Sequence, residues 1–245
     1  MNELLRKIKF HFLPAKVTSA EFVDYLKSRG IEIGTGTYFF APMTNEVDIQ
    51  RPFMLKIGEY CKIASGVKII CHDYSRSVLR RVYGEVIGEA GETVIGNNVF
   101  IGMNSIILMG SHIGDNCIIG AGSIVKGVLE NNSVYAGNPS VKIRSLEEHY
   151  QIRKKKTENE CFLWIQKFRE KYGRYPEENE MGPFWQLFAE RDIGYLKEKQ
   201  INFHLNGDND SEMLHDFLNT EPLFKDYSEM IDQYEALHQE SHNQH

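Results

Sequence analysis

The chain has 245 residues, enough for one large domain or two smaller ones, and 42% apolar content is sufficient to build a core. A net charge of −6 argues against nucleic acid as a partner. No apolar run reaches the length of a membrane span, and the N-terminus lacks the apolar stretch and cleavage site of a signal peptide, so a cytoplasmic protein without a membrane span is expected.

Residues 1–30 read as a helical cap. Thr18 to Glu21 match a capping box, and Phe22, Tyr25 and Leu26 form an apolar face that ends at Gly30. From Ile33 a six-residue rhythm begins, Ile33-Gly34-Thr35-Gly36-Thr37-Tyr38. It is interrupted through Arg51-Pro52 and resumes at Ile57, Ile63 and Ile69. It breaks after His72 and restarts near Val94.

From Ile95 to Glu130 the rhythm is unbroken. Ile or Val stands at 95, 101, 107, 113, 119 and 125, and Gly follows at 96, 102, 114 and 120. The fifth place is small: Val99, Ser105, Ser111, Cys117, Ser123. A period of six fits neither a helix face nor a half-buried strand, and it marks a stacked parallel β-helix. Three hexads would make one triangular coil. The first-place residue would point inward, and the glycine beside it would accommodate the backbone of the corner. The β-helix is expected over 31–145, with caps at its ends.

About twenty residues, Asp73–Glu92, carry no hexad and are expected to project as a loop, 73–92, on the binding face. The cysteines at 61, 71, 117 and 161 lack metal-ligand spacing, so no metal is expected; Cys61 and Cys117 fall in the small fifth place and read as buried thiols. Residues 131–139 are a turn-rich exit. Residues 146–245 form a helical extension: a charged helix over 146–156, two amphipathic helices marked by Phe162, Ile165, Phe168 and by Trp185, Leu187, Phe188 with Gly173–Pro183 between them, and a last helix over about 221–240. Its acidic end reads as a solvated face.

His72 is the candidate general base, because it sits at the root of the projecting loop and imidazole takes a proton near neutral pH. The alternative is a surface histidine that ends a coil. Asp73 is adjacent, but neighbours in a strand face opposite ways. Glu85, Glu89 and Glu92 are further possibilities for its partner, and the sequence leaves the choice open. Tyr74, Arg76, Arg80, Arg81 and Tyr83 suit an acidic glycan, or serve loop solubility and packing. Gly120-Ala121-Gly122-Ser123 leaves backbone amides accessible to an extended pantetheine arm, or merely satisfies the corner. Lys126, Lys142 and Arg144 are candidate phosphate contacts or ordinary surface charge. His112, in a sixth place, reads as exposed and structural.

His72-Asp73-Tyr74-Ser75, GNNVFIGMNSIIL, IGAGSIV and Ala136-Gly137-Asn138-Pro139 together resemble the left-handed β-helix acyltransferases of the hexapeptide-repeat superfamily. The pattern is most similar to sugar O-acetyltransferases of capsule and O-antigen pathways and to xenobiotic-type acetyltransferases. The resemblance covers about residues 30–145. It implies an all-β left-handed parallel β-helix, a homotrimer, acetyl-CoA as donor, and a site between subunits with His72 as its catalytic histidine. It also implies that the coenzyme runs along the coil edge at Gly102, Ser105, Gly120 and Ala121, with Lys126 at its phosphates. Phe100 departs from the pattern, since relatives often have Trp there. The expected reaction is direct acetyl transfer to a hydroxyl of a sugar in a capsule, O-antigen or other cell-surface glycan, without an acyl-enzyme. Alternatives are an antibiotic or an amino-sugar nitrogen as acceptor, or, in another class, a non-catalytic β-helix that recruits partners. A metal-dependent hydrolase would need three converging histidines, and the repeat holds only His72 and His112.

Overall fold

The structure is a computed structural model that describes residues 18–204, 207 and 209–242. Residues 1–17 of the expected cap lie outside the described residues. The chain divides into two compact units, Met1–Tyr150 and Gln151–His245.

The first unit opens with helix α1, Ser19–Ser28. Its capping box is formed: the Glu21 amide donates to Thr18 Oγ1 at 3.2 Å, and the Thr18 amide donates to Glu21 Oε2 at 2.9 Å. Phe22 and Leu26 are buried, and Phe22 meets Phe39 edge-on at 4.9 Å. The Phe39 amide donates to Ser19 Oγ at 2.9 Å, which fastens the cap to the first coil.

Short strands follow. They are β1 Glu32–Ile33, β2 Tyr38–Phe39, β3 Glu46–Val47, β4 Leu55–Ile57, β5 Lys62–Ile63, β6 Lys68–Ile69, β7 Thr93–Ile95, β8 Phe100–Ile101, β9 Ile106–Ile107, β10 His112–Ile113, β11 Ile118–Ile119, β12 Ile124–Val125 and β13 Val128–Leu129. They stack in parallel into three sheets, β1-β4-β7-β10-β13, β2-β5-β8-β11 and β3-β6-β9-β12. Ile95 pairs with Ile113, Ile101 with Ile119 and Ile107 with Val125, each eighteen residues on. The first-place residues are the core: Ile63, Ile101, Ile107, Ile119 and Val125 are fully buried. Each such side chain stabilises the fold by about 1.5–3 kcal/mol.

The glycines after them have a different reason from the one the sequence suggests. None of Gly58, Gly96, Gly102, Gly114 or Gly120 has a positive φ; a Cβ on Gly102 would lie 2.5 Å from the Ala121 nitrogen of the next coil, and one on Gly58 would lie 2.5 Å from the Gly96 oxygen. Close approach of successive coils selects glycine here. The left-handed corner residues stand two places later, at Asn98, Asn104 and Asn116, with φ of 53°, 59° and 56°. Asn98 Nδ2 donates to Asn116 Oδ1 and Asn116 Nδ2 to Asn132 Oδ1, both at 2.9 Å, so one corner carries an amide ladder.

The coil length varies without disturbing the ladders. Ile57 pairs with Ile95 and Ile69 with Ile107 across the projecting loop. The last coil is shorter, since Ile113 pairs with Leu129, sixteen residues on. The loop is not structureless, as its lack of hexads suggested: Arg76–Tyr83 is a helix, α2, ended by Gly84 at φ 69°. The exit is strand β14, Ser133–Ala136, which continues the second sheet and then pairs antiparallel with β15, Val141–Ser145. The Asn138–Pro139 bond between them is cis.

Helix α3 runs over Leu146–Tyr172 without a break, so the charged stretch and the Phe162–Ile165 stretch are one helix. The second expected amphipathic helix is a 3-10 turn, Gly182–Leu187, because Pro183 and the short aromatic cluster sustain no 3.6-residue pattern. Helices α4, Ile193–Glu198, and α5, Asp210–Leu218, follow, and the last helix, α6, is Tyr227–His242, later than expected. The core of the second unit gathers Cys161, Phe162, Ile165, Phe188, Met230 and Tyr234. Among the described residues, no helix is long and apolar enough to cross a membrane.

Candidate active site

His72 leaves the coil directly after β6, with 26% of its side chain exposed. Its Nδ1 forms a short hydrogen bond with Asp48 Oδ2. Asp48 lies one coil earlier, just past β3; its own amide donates to the Ile69 carbonyl at 2.9 Å, which fixes its position beneath the start of the loop. The Asp48 side chain is only 6% exposed. Burial pushes its carboxyl up. Hydrogen bonds from the Gln50 amide, from His72 and from the Cys71 amide outweigh that and hold it below the usual carboxylate range. The two amides approach at 2.8 and 3.0 Å.

An ionised, buried carboxylate can only accept. Nδ1 of His72 therefore donates to Asp48, and in the neutral imidazole Nε2 is the acceptor. Such a pair is chemically able to take a proton from a hydroxyl placed at Nε2. Asp48 was not legible as the partner, because it stands outside the regular hexads. Asp73 does not orient His72: its Oδ1 accepts the Ser75 amide at 2.6 Å and caps a turn.

Beside His72 is an open groove of about 360 Å³, lined by Val47, Asp48, Ile49, Gln50 and Ile70 with Glu46 and Lys68 at its edge. Glu46 and Lys68 pair at 2.9 Å. The loop stands over the root of this site. Tyr74 lies 6.4 Å from the His72 ring, and the Arg76 guanidinium covers Tyr74 at 5.0 Å. Arg76 also binds Glu89 Oε1 at 2.5 Å, so it is engaged within the loop. Arg80, Arg81 and Tyr83 sit on α2, exposed. The apolar residues of the loop are exposed as well, with Val78 at 61%, Val82 at 66% and Val86 at 83%.

The expected amide rail is partly closed. The Gly102 amide donates to Ile119 O at 2.8 Å, Gly120 to Tyr135 O at 2.8 Å and Gly122 to Met103 O at 2.7 Å. Coil stacking uses these donors. Ser105 is fully buried, and its hydroxyl donates to the Gly120 carbonyl at 3.0 Å. Ala121 and Lys126 are exposed on the coil surface. Lys142 is drawn to Glu130 at 2.8 Å. His112 is exposed, with its neighbour Ile113 buried. Among the described residues, no three His, Cys, Asp or Glu side chains gather in a way that would hold a metal ion. All four cysteines are free and buried.

Residues 92–127 match the family model described as bacterial transferase hexapeptide (six repeats). The chain is 36% identical to Protein CapG of Staphylococcus aureus over 155 residues, which covers 60% of this chain and 89% of CapG. It is 38% identical to a probable macrolide acetyltransferase of Lysinibacillus sphaericus, over 35% of this chain and 57% of that protein. It is 34% identical to the galactoside O-acetyltransferase of Escherichia coli K12, over 54% of this chain and 64% of that protein. The chain thus spans nearly all of CapG but less than two thirds of the other two.

Proposed function

The chain belongs to the hexapeptide-repeat acyltransferase superfamily, and from that premise we propose that it moves acetyl from acetyl-CoA to a hydroxyl of a sugar in a capsule, O-antigen or other cell-surface glycan. The observation that carries this reading is the His72–Asp48 pair at the edge of an open groove. His72 Nε2 takes the proton of the acceptor hydroxyl as its oxygen attacks the thioester carbonyl. The carbon–sulfur bond then breaks, and the imidazolium returns the proton to the departing thiolate. Asp48 holds the imidazole in the required tautomer and stabilises its charge. Both substrates are held together, so no acyl-enzyme is needed.

The acceptor lies in the groove, with Tyr74 and the α2 residues Arg80, Arg81 and Tyr83 above it. Arg76 acts through Tyr74, since its guanidinium is already paired. The coenzyme follows the coil edge past Gly102, Gly120 and Ala121, with Lys126 toward its phosphates and Ser105 shaping the wall from inside. The coil is left-handed, and three copies associate, which buries the exposed Val78, Val82 and Val86 of each loop and completes each site.

His72→Ala should lower turnover by about 10²- to 10⁴-fold while leaving acetyl-CoA binding intact. Acceptors are screened by thiol release, and lability of the product to mild base separates an ester from an amide. Near-normal turnover of the variant overturns the assignment of the base. The relation to a probable macrolide acetyltransferase makes an antibiotic hydroxyl the second reading, and a macrolide belongs in the same screen.

A further inference from the structure

Glu89 closes the projecting loop. Its side chain is 18% exposed, and its Oε1 receives the Asp73 amide at 2.9 Å and Arg76 Nη1 at 2.5 Å, with Arg51 Nη2 at 3.9 Å. Arg51 Nη1 also donates to the Glu89 carbonyl at 2.9 Å. One carboxylate therefore joins three pieces of chain: the first residues of the loop, its return, and the segment that precedes β4.

Two of these pieces are the catalytic ones. Asp73 follows His72 directly, and its amide hangs on Glu89. Arg51 stands three residues after Asp48, in the segment that supplies the carboxylate to His72. Tyr74, beside the His72 ring, is covered by the same Arg76 that Glu89 holds. An exposed ion pair of two flexible chains fixes little. Here one oxygen of a half-buried side chain takes an amide and a guanidinium at hydrogen-bond distance, with a second guanidinium close by, and hydrogen bonds to a charged acceptor are the stronger kind.

We propose that Glu89 is a positioning residue: it sets the direction in which the His72-Asp73-Tyr74 run leaves the coil, and through that run it aligns the base with the acceptor. It touches neither substrate. The proposal rests on the reading of His72 as base, but its first readout is independent of activity. Without Glu89, Arg51 and Arg76 lose their shared anion, the Asp73 amide loses its acceptor, and the loop root is free to rotate while the coil core stays packed.

The test uses the full chain with ring-nitrogen-labelled histidine. In Glu89→Ala the His72 Nδ1–H signal should shift or broaden, with Asp48→Asn as the positive control and the His112 signal as the unmoved reference. Glu89→Gln keeps an acceptor for the Asp73 amide and should restore most of the wild-type signal. With the acceptor identified by the screen above, Glu89→Ala should lower kcat/KM for acceptor by about 10- to 100-fold, leaving acetyl-CoA affinity and the melting temperature close to wild type. An unmoved His72 signal in Glu89→Ala overturns the proposal. So does a loss of turnover that tracks a fall in melting temperature and is not relieved by Glu89→Gln. If His72→Ala stays active while Glu89→Ala still shifts the His72 signal, the reading of the base fails and the positioning of His72 by Glu89 stands.

Discussion

Replacing Asp48 with Asn probes the oriented imidazole with the least disturbance. Asparagine keeps the shape and one acceptor oxygen, so either the Gln50 or the Cys71 amide retains a partner. What is lost is the negative charge facing His72 Nδ1. A hydrogen bond to a charged group contributes about 1.5–3 kcal/mol, and each 1.36 kcal/mol of barrier is a factor of ten in rate, so kcat/KM should fall by about 10- to 150-fold. That is smaller than the loss expected for His72→Ala, because the base itself remains. The assay is initial-rate thiol release against acceptor concentration, with acetyl-CoA binding measured in parallel. A variant within about threefold of wild type would refute the role given to the carboxylate. Stability gives a second check with a defined sign. Asp48 titrates below its ordinary value of 3.8 in the folded protein, so its contribution is fully present above that value and is lost as pH falls through the depressed one. The stability advantage of wild type over Asp48→Asn should therefore hold from neutral pH to about pH 5 and shrink below about pH 4. An advantage that persists unchanged down to pH 3 would contradict this.

Other outcomes follow from the packing. Gly102→Ala should cost about 1–3 kcal/mol in chemical denaturation, because its Cβ would meet the Ala121 nitrogen at 2.5 Å. Gly88→Ala, in the loop with nothing within 4 Å, should stay within about 0.5 kcal/mol of wild type; equal losses at the two sites would undo the argument from close coil approach. Burial pushes the Cys71 thiol up to about 11 and the Cys161 thiol up to about 12, and it raises Cys61 and Cys117 as well. A thiol reagent at pH 8 should find no fast-reacting cysteine until denaturant is added, and one thiol titrating within seconds in the native protein would show a path to solvent that these burials do not contain.

The period of six carried the three sheets, because Ile101, Ile107 and Ile119 each stack on, and pair by backbone hydrogen bonds with, a counterpart one coil away. It carried His72 too, as the last ordered residue before the break. Asp48 escaped because the spacing from Val47 to Ile57 is not a multiple of six, so no hexad marks the coil that holds it. The signal was present in another form. Once Glu46-Val47 is set against Lys68-Ile69, Asp48 falls one coil from Ile70, two residues short of His72. Helix α2 was hidden for a different reason. Val78, Leu79, Val82 and Tyr83 do stand at helical spacing, but the run is only eight residues long and its apolar side chains are exposed, so it reads as loop beside the hexads, and Gly84 marks its end. In the second unit, Trp185, Leu187 and Phe188 pack as a helix face would, yet they come from a 3-10 turn whose neighbours supply the rest of that core.

A stack of parallel coils has translational symmetry and no built-in length. Its first and last strands expose unpaired amides and carbonyls, and a second copy could in principle extend the ladder in the same direction. The hairpin of β14 and β15 breaks that symmetry at one end. Because β15 runs antiparallel, the outer edge of the second sheet presents donors and acceptors in the wrong sense for a strand that continues the coil. At the other end, α1 lays Phe22 and Leu26 on the apolar column that another coil would need to bury. Hairpin and helix thus bound the stack at its two ends, and the number of coils is set by the chain itself.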